Sequence, residues 1–344
     1  MLKRRGRAAA LVALAVLAGA AAGCSSGARA TPRITTTARA GVAPVPPAKG
    51  AFFGVWTPDQ PLTGADAAEP DRKGDLPPLT RVKEIEKGLG RQLDIAPAYH
   101  SWTARFPDEA DKAVLASTRY LMVTWASADT REIVNGRYDA LVRERARALK
   151  ATGKPIFLRW ARDMDKESLA ARIHSGADYV AAWKHLRAIF AAERVANVVW
   201  VWCPTASAFQ GPTPASYPGD DQVDWVCTDA QPGGNYDYRD LVDTIGPFQR
   251  WAAGHPKPVM IAEFGVPRSY GTRRAEWLRK AAQTLQDPQV KAVVYFNSDE
   301  QAQDPRDDRR GYALTADPHA LSALRELATT PYFNPRNLPV TSGG

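Results

Sequence analysis

The sequence predicts an α/β fold, a (β/α)8 TIM barrel, and three observations carry that prediction. Eight short runs rich in Val, Ile, Phe and Trp recur along the chain, as expected of parallel strands covered on both faces. Segments with apolar residues three and four apart alternate with them, the spacing of amphipathic helices. Two of the runs begin at Lys-Pro and finish on an acid, Asp163 and Glu263. In a barrel of this kind the C-terminal ends of the strands form the active site.

Taken in order, the first 23 residues lie outside the predicted fold. Lys3, Arg4, Arg5 and Arg7 precede an Ala/Leu/Val run over Ala8–Ala22, the layout of a secretory signal. Gly23-Cys24 resembles the lipobox of bacterial lipoproteins, with Cys24 bearing the lipid, which predicts an anchored protein on the outer face of a bacterial cell membrane. The apolar run is shorter than the ~20 residues a membrane span needs. Residues 24–50, rich in Ala, Thr, Pro and Gly, read as a flexible tether. Losing the signal lowers the formal charge from +8 to +4, because four of its residues are basic. No Lys/Arg cluster interleaved with aromatics remains, so nucleic acid is not an expected partner.

The barrel domain is predicted over 51–330, followed by a C-terminal tail over 331–344. With 344 residues, 44% of them hydrophobic, the chain is long enough for one large domain. Candidate strands are Ala51–Thr57, Leu93–Trp102, Tyr120–Ala126, Pro155–Ala161, Val198–Pro204, Val223–Ala230, Pro258–Gly265 and Val290–Ser298. Candidate helices are Leu79–Leu89, Tyr138–Ala151, Ala177–Ala192, Thr272–Leu285 and Leu321–Ala328, while Thr205–Gln222 is a Pro/Gly-rich loop. A doubly wound open sheet also alternates strand and helix. That fold usually carries a Gly-rich phosphate turn after its first strand, where this chain has Pro58-Asp59-Gln60-Pro61.

The candidate chemistry gathers at the strand ends. Alternation along a strand puts Phe157, Arg159, Ala161 and Asp163 on one face, and Val259, Ile261 and Glu263 on one face of the later strand. Alternation alone would send Arg162 outward with Leu158 and Trp160. A buried Arg159 needs an acidic partner. It is either a structural ion pair or the cation that keeps an active-site carboxylate ionised. Two carboxyl groups across a barrel mouth are the equipment of glycoside hydrolysis. Trp102, Trp125, Trp202 and Tyr295 lie near strand ends, where aromatic rings would offer faces to a sugar, and with Arg159 and Asp229 they form the expected substrate-binding set. His100 would bond sugar or catalyst, or be structural; Trp183, Trp200 and Trp225 read as packing. Cys203 and Cys227 are either a disulfide or two buried thiols, and no zinc ligand set or serine-hydrolase motif is present. No metal or cofactor is expected.

From Phe52 to Asn297 the sequence resembles glycoside hydrolase family 26, best known for β-mannanases. The resemblance rests on Tyr99-His-Ser-Trp102, Thr124-Trp125, Gly153-Lys-Pro155, Arg159-Trp-Ala161, Ala181-Ala-Trp183-Lys-His185, Asn197-Val-Val-Trp-Val-Trp202, Val223-Asp-Trp225, Lys257-Pro-Val-Met-Ile-Ala-Glu-Phe-Gly265 and Val293-Val-Tyr-Phe-Asn297. It implies a (β/α)8 barrel and a retaining hydrolase of a β-linked polysaccharide, most of all β-mannan. Glu263 matches the family's nucleophile, and Asp163 stands where its acid/base Glu belongs. The chain departs from the family there. The usual Arg-x-x-His-Glu-Met-Asn-Gly is Arg159-Trp-Ala-Arg162-Asp163-Met164-Asp165-Lys166, and Asp-Gly-Tyr after strand six is Asp229-Ala-Gln231. An Asp retracts its carboxyl by ~1.5 Å relative to Glu. The competing expectation is therefore a catalytically impaired, glycan-binding lipoprotein on the same barrel; a further one is a hydrolase whose acid is Asp165 or Asp229.

Overall fold

The computed structural model describes residues 44–58, 79–232, 237–299 and 309–341. Cys24, the signal segment and most of the tether lie outside them. The eight predicted strands are all present and close into one parallel barrel in chain order, with β1 hydrogen-bonded to both β2 and β8. They are β1 (Phe52–Trp56), β2 (Ile95–His100), β3 (Tyr120–Trp125), β4 (Ile156–Trp160), β5 (Val198–Trp202), β6 (Trp225–Ala230), β7 (Val259–Phe264) and β8 (Val290–Phe296). Helices flank the barrel: α1 (Thr80–Leu89), α2 (Glu109–Leu115), α3 (Thr130–Val134), α4 (Asp139–Ala151), α5 (Ala170–Ile173), α6 (Gly176–Ala192), α7 (Leu241–Ala252), α8 (Arg274–Thr284) and α9 (Pro318–Thr329). Among the described residues no helix is long and apolar enough to cross a membrane.

Every residue of β1, β4, β5, β6, β7 and β8 is buried, because the barrel interior covers one face and the helices the other. Phe52, Ile95, Met122, Phe157, Val199, Val201, Trp225 and Met260 fill the interior, and Phe53, Val55, Val123, Trp125, Leu158 and Trp160 pack outward against the helices. Each fully buried large side chain contributes about 1.5–3 kcal/mol. Helix starts are marked by side chains: Asp108 and Asp111 form a capping box on α2, and Ser175 accepts from the Asp178 amide on α6. The sequence reading missed α7. Gly246 and Pro247 interrupt its helix signal, and the tertiary burial of Leu241, Ile245 and Phe248 holds it together despite them.

Two details of the barrel wall matter for the site. β5 and β6 share only two register pairs, Val201↔Trp225 and Trp202↔Val226, and the segment between them carries a short 3-10 turn, Ala206–Phe209. A disulfide between Cys203 and Cys227, Cα atoms 4.4 Å apart, crosses that seam and resolves the cysteine question in favour of pairing. At the floor of the barrel, Arg91 donates to Asp94 Oδ2 at 2.8 Å and to the Ala328 and Phe333 carbonyls, and Asp94 Oδ2 also accepts from the Phe53 amide at 3.0 Å. The tail returns to this floor, where Val340 bridges Arg91.

Candidate active site

Glu263 reaches the mouth by a different route from simple alternation. Val259 and Ile261 pack outward against the helices, and Met260 and Ala262 belong to the interior. The β6–β7 register then slips: Thr228 pairs with Ile261, and Asp229 with Glu263. The extra residue is a bulge, which turns the next side chain to the opposite face. Glu263 therefore points inward beside Asp229, and the expectation that it shares a face with Val259 and Ile261 is corrected.

The β4 end is also irregular. Arg159 points inward from the strand as predicted, but Ala161 packs in the outer layer. Ala161 (φ 47°) and Asp163 (φ 57°) both adopt the left-handed region, uncommon for residues other than glycine. The Asp163 amide donates to the Cys203 carbonyl at 3.0 Å, tying this turn to the end of β5. Arg162 consequently turns into the site rather than outward, contrary to alternation.

Glu263 is 1% exposed and surrounded by donors. Its Oε1 accepts from Tyr99 Oη at 2.7 Å and from Arg159 Nη2 at 2.7 Å, and Arg162 Nε lies 3.5 Å away. Its Oε2 accepts from Gln231 Nε2 at 3.0 Å. Burial pushes this carboxyl up, but the charges of Arg162 and Arg159 and the hydrogen bonds from Tyr99 and Arg159 outweigh it and hold it at about 2. Arg159 is completely buried; its Nη1 also meets both oxygens of Asp229 at 2.9 and 3.0 Å, and its Nε meets Thr124 Oγ1 at 3.1 Å. For Asp229 burial dominates, Arg159 opposes it, and the charges of Glu263 and Asp163 add to it, so its carboxyl stands well above the usual range. Neighbouring acids pushed in opposite directions are a mark of functional sites.

Asp163 and Glu263 are joined through one guanidinium. Arg162 Nη1 meets Asp163 Oδ2 at 2.6 Å while its Nε faces Glu263. Lys166 Nζ binds the same Asp163 Oδ2 at 2.6 Å, and the buried Oδ1 has no hydrogen-bond partner. Asp165 lies apart, accepting from the Thr205 amide at 2.9 Å.

The proposed binding aromatics require correction. Trp102 stacks on Trp125 at 4.4 Å, and Trp125 Nε1 donates to the Trp102 carbonyl at 3.0 Å. Trp202 packs between Tyr217 and Trp251, and the Tyr295 hydroxyl donates to the Tyr312 carbonyl at 2.8 Å. All four are buried in the layer between barrel and helices and offer no face to a ligand. The same alternation that points Thr124 and Val294 inward sends their neighbours Trp125 and Tyr295 outward. His100 also turns outward, 2.9 Å from Asp111 and against Phe106, so it is structural here. Trp183 and Trp200 pack outward and Trp225 fills the interior, as expected.

Other residues line the mouth instead, Tyr99, Trp56 and Arg162 among them. Tyr99 follows Ile95 and Pro97 on the inward face of β2, so alternation would have found it. Trp56 lies 4.7 Å from the Tyr99 ring, and Arg162 and Arg159 lie over that ring, 5.3 and 5.5 Å from its centroid. Metal-type ligands meet at two places among the described residues. Cys203 and Cys227 beside Asp229 are bonded to each other, and Asp108 and Asp111 beside His100 close the capping box of α2.

No family model matches the chain. Among curated proteins it is 27% identical over 282 residues to endoglucanase H of Acetivibrio thermocellus, covering 76% of this chain and 30% of that protein. It is 27% identical over 204 residues to a beta-1,3-xylanase of a Vibrio species, covering 50% of this chain and 42% of that protein. The chain thus spans less than half the length of these relatives. Solved structures with the same fold include a family 26 β-mannanase from Bacteroides ovatus, with TM-score 0.57, 13% identity, and 83% of this chain and 90% of that one covered. A modular endo-β-1,4-mannanase from Cellulomonas fimi gives TM-score 0.57 at 15% identity, covering 82% and 71%. The resemblance to glycoside hydrolase family 26 therefore holds at the level of the whole barrel, with a divergent segment at Arg162–Lys166.

Proposed function

We propose that this protein is a glycoside hydrolase acting on a β-linked polysaccharide, with retention of anomeric configuration and Glu263 as nucleophile. The observation that carries the reading is the state of Glu263, a buried carboxylate at a strand end, held ionised by two guanidinium groups and oriented from both sides by Tyr99 and Gln231. Glu263 attacks the anomeric carbon, the bond to the leaving oxygen breaks as that oxygen gains a proton, and the resulting glycosyl ester is hydrolysed by water. Asp163 occupies the proton-donor position. Arg159 is a positioning residue that does not touch the sugar. β-Mannan is the first substrate to try because the structural neighbours above are mannanases; the curated relatives add β-glucan and β-1,3-xylan to the panel.

A second reading has an observation of its own. Asp163 Oδ2 is engaged by Arg162 and Lys166 rather than presented to a leaving group. On that reading the barrel captures glycans at the cell surface without cleaving them, anchored through Cys24. Reducing ends released from mannan, β-glucan and β-1,3-xylan separate the two. Turnover lost at least ~10⁴-fold in Glu263→Ala supports the hydrolase. Binding without turnover in the unaltered protein supports capture, and full turnover in Asp163→Ala moves the proton donor to Asp229 or Asp165. Export and anchoring are tested by whether Cys24→Ala releases the protein from membranes.

A further inference from the structure

The proton-donor side of the site carries two cations where the family pattern has His and Gly. Arg162 and Lys166 converge on one oxygen, Asp163 Oδ2, each at 2.6 Å. Both remain open to solvent, with side chains 30% and 46% exposed. Arg159 pairs with both Glu263 and Asp229, Arg162 turns its Nε to Glu263 and its Nη1 to Asp163, and Lys166 has Asp163 as its acidic partner. Arg162 also lies over the Tyr99 ring, 5.3 Å from its centroid. In a retaining hydrolase the leaving group departs, and the acceptor arrives, beside the residue in the acid/base position. Two preorganised cations at that place match an oxyanion, because a guanidinium fork and an ammonium both form charge-assisted hydrogen bonds to carboxylate or phosphate. Asp163 Oδ2 occupies the cradle as an internal stand-in for such a group.

We propose that Arg162 and Lys166 recognise an acidic group on the leaving-group side of the scissile bond, so that the substrate is an anionic β-glycan such as one bearing a hexuronate there. This rests on the hydrolase reading for the place of the leaving group. Binding of the anion draws Arg162 and Lys166 off Asp163 and frees its carboxyl to face the glycosidic oxygen. The acidic group belongs to the glycan or is a free oxyanion in solution, and the assay distinguishes them.

The test compares β-linked oligosaccharides ending in a hexuronate on the leaving-group side with the same compounds after reduction of the carboxyl to the neutral alcohol. kcat/KM is measured where turnover occurs, and Kd by calorimetry in every case. The acidic form should be preferred at least ~10-fold, the scale of one charge-assisted hydrogen bond. That preference should fall severalfold in Lys166→Gln and in Arg162→Gln, with Lys166→Gln, the more exposed position, serving if the other variant fails to fold. Inorganic phosphate at millimolar concentration should compete with the acidic form only; phosphate that binds without any preference between the two glycans assigns the cradle to a free oxyanion and overturns the substrate assignment. Equal kcat/KM and equal Kd for the two forms overturn the proposal while leaving the hydrolase standing. Preference in Kd with no cleavage of any glycan sinks the hydrolase and leaves the cradle.

Discussion

Each end of the barrel buries an arginine against carboxylate, and the two arrangements do different things. At the floor, Arg91 divides its donors between one acid, Asp94, and the carbonyls of Ala328 and Phe333, closing β1, β2 and the C-terminal segment onto one another. Burial there outweighs Arg91 and raises the Asp94 carboxyl. At the mouth, Arg159 spends its donors on side chains, two acids, Thr124 and Tyr99, and Arg162 lies 3.5 Å from Glu263, as Arg336 lies 3.6 Å from Asp94 at the floor. There the cations win and Glu263 is driven down to about 2. A guanidinium tied to carbonyls fastens chain segments together. One tied to side chains sets the charge of a reactive group.

Replacing each arginine by methionine should break this contrast most sharply. Arg91→Met and Arg159→Met each strand a buried acid, and each should cost about 3–5 kcal/mol in chemical denaturation. In the protein that remains folded, turnover should survive within ~3-fold in Arg91→Met and collapse in Arg159→Met. Equal activity losses would erase the distinction between floor and mouth.

The next effect is smaller and depends on pH. Glu263 titrates near 2 when folded, against roughly 4.3 in an unfolded chain, so its ionisation stabilises the fold above the latter value and that contribution disappears as pH falls through the former. Melting curves of the unaltered protein and Glu263→Gln should therefore diverge at pH 6 and converge toward pH 2. A gap independent of pH would place the stabilisation in packing instead.

Tyr99→Phe should have the smallest effect. It removes the hydrogen bond to Glu263 and the one accepted from Arg159, and kcat should fall ~10- to 100-fold with little change in Tm. A large drop in Tm without a drop in kcat would make Tyr99 a packing residue.

The fold was legible in the sequence because its evidence is repeated: eight apolar runs and their spacing survive errors in any single element. The two acids were legible because each ends a run that opens on Lys-Pro. What failed were most readings that needed the direction of one side chain, the inward Arg159 being the exception. Strand β2 was drawn to Trp102 instead of His100, which drew attention to two outward residues and away from Tyr99. The bulge before Glu263 and the left-handed Asp163 follow from strand register and turn closure, which no short-range pattern records. A place near strand ends points Trp125, Trp202 and Tyr295 to the mouth, yet side-chain alternation alone turns them to the helices. Arg162 was the opposite case, where alternation gave the wrong direction because the strand had already ended.

The covalent link between Cys203 and Cys227 bears on how the protein can be made. It staples a sparsely laced seam of the wall, and one of its sulfur atoms lies 3.4 Å from Asp229, a member of the charge network. Produced in a host cytosol rich in thiol reductants, the chain would have to bring β5 and β6 together without that staple. Recombinant yield of correctly assembled material should then track the oxidising power of the chosen host, independently of how well the rest of the cylinder folds.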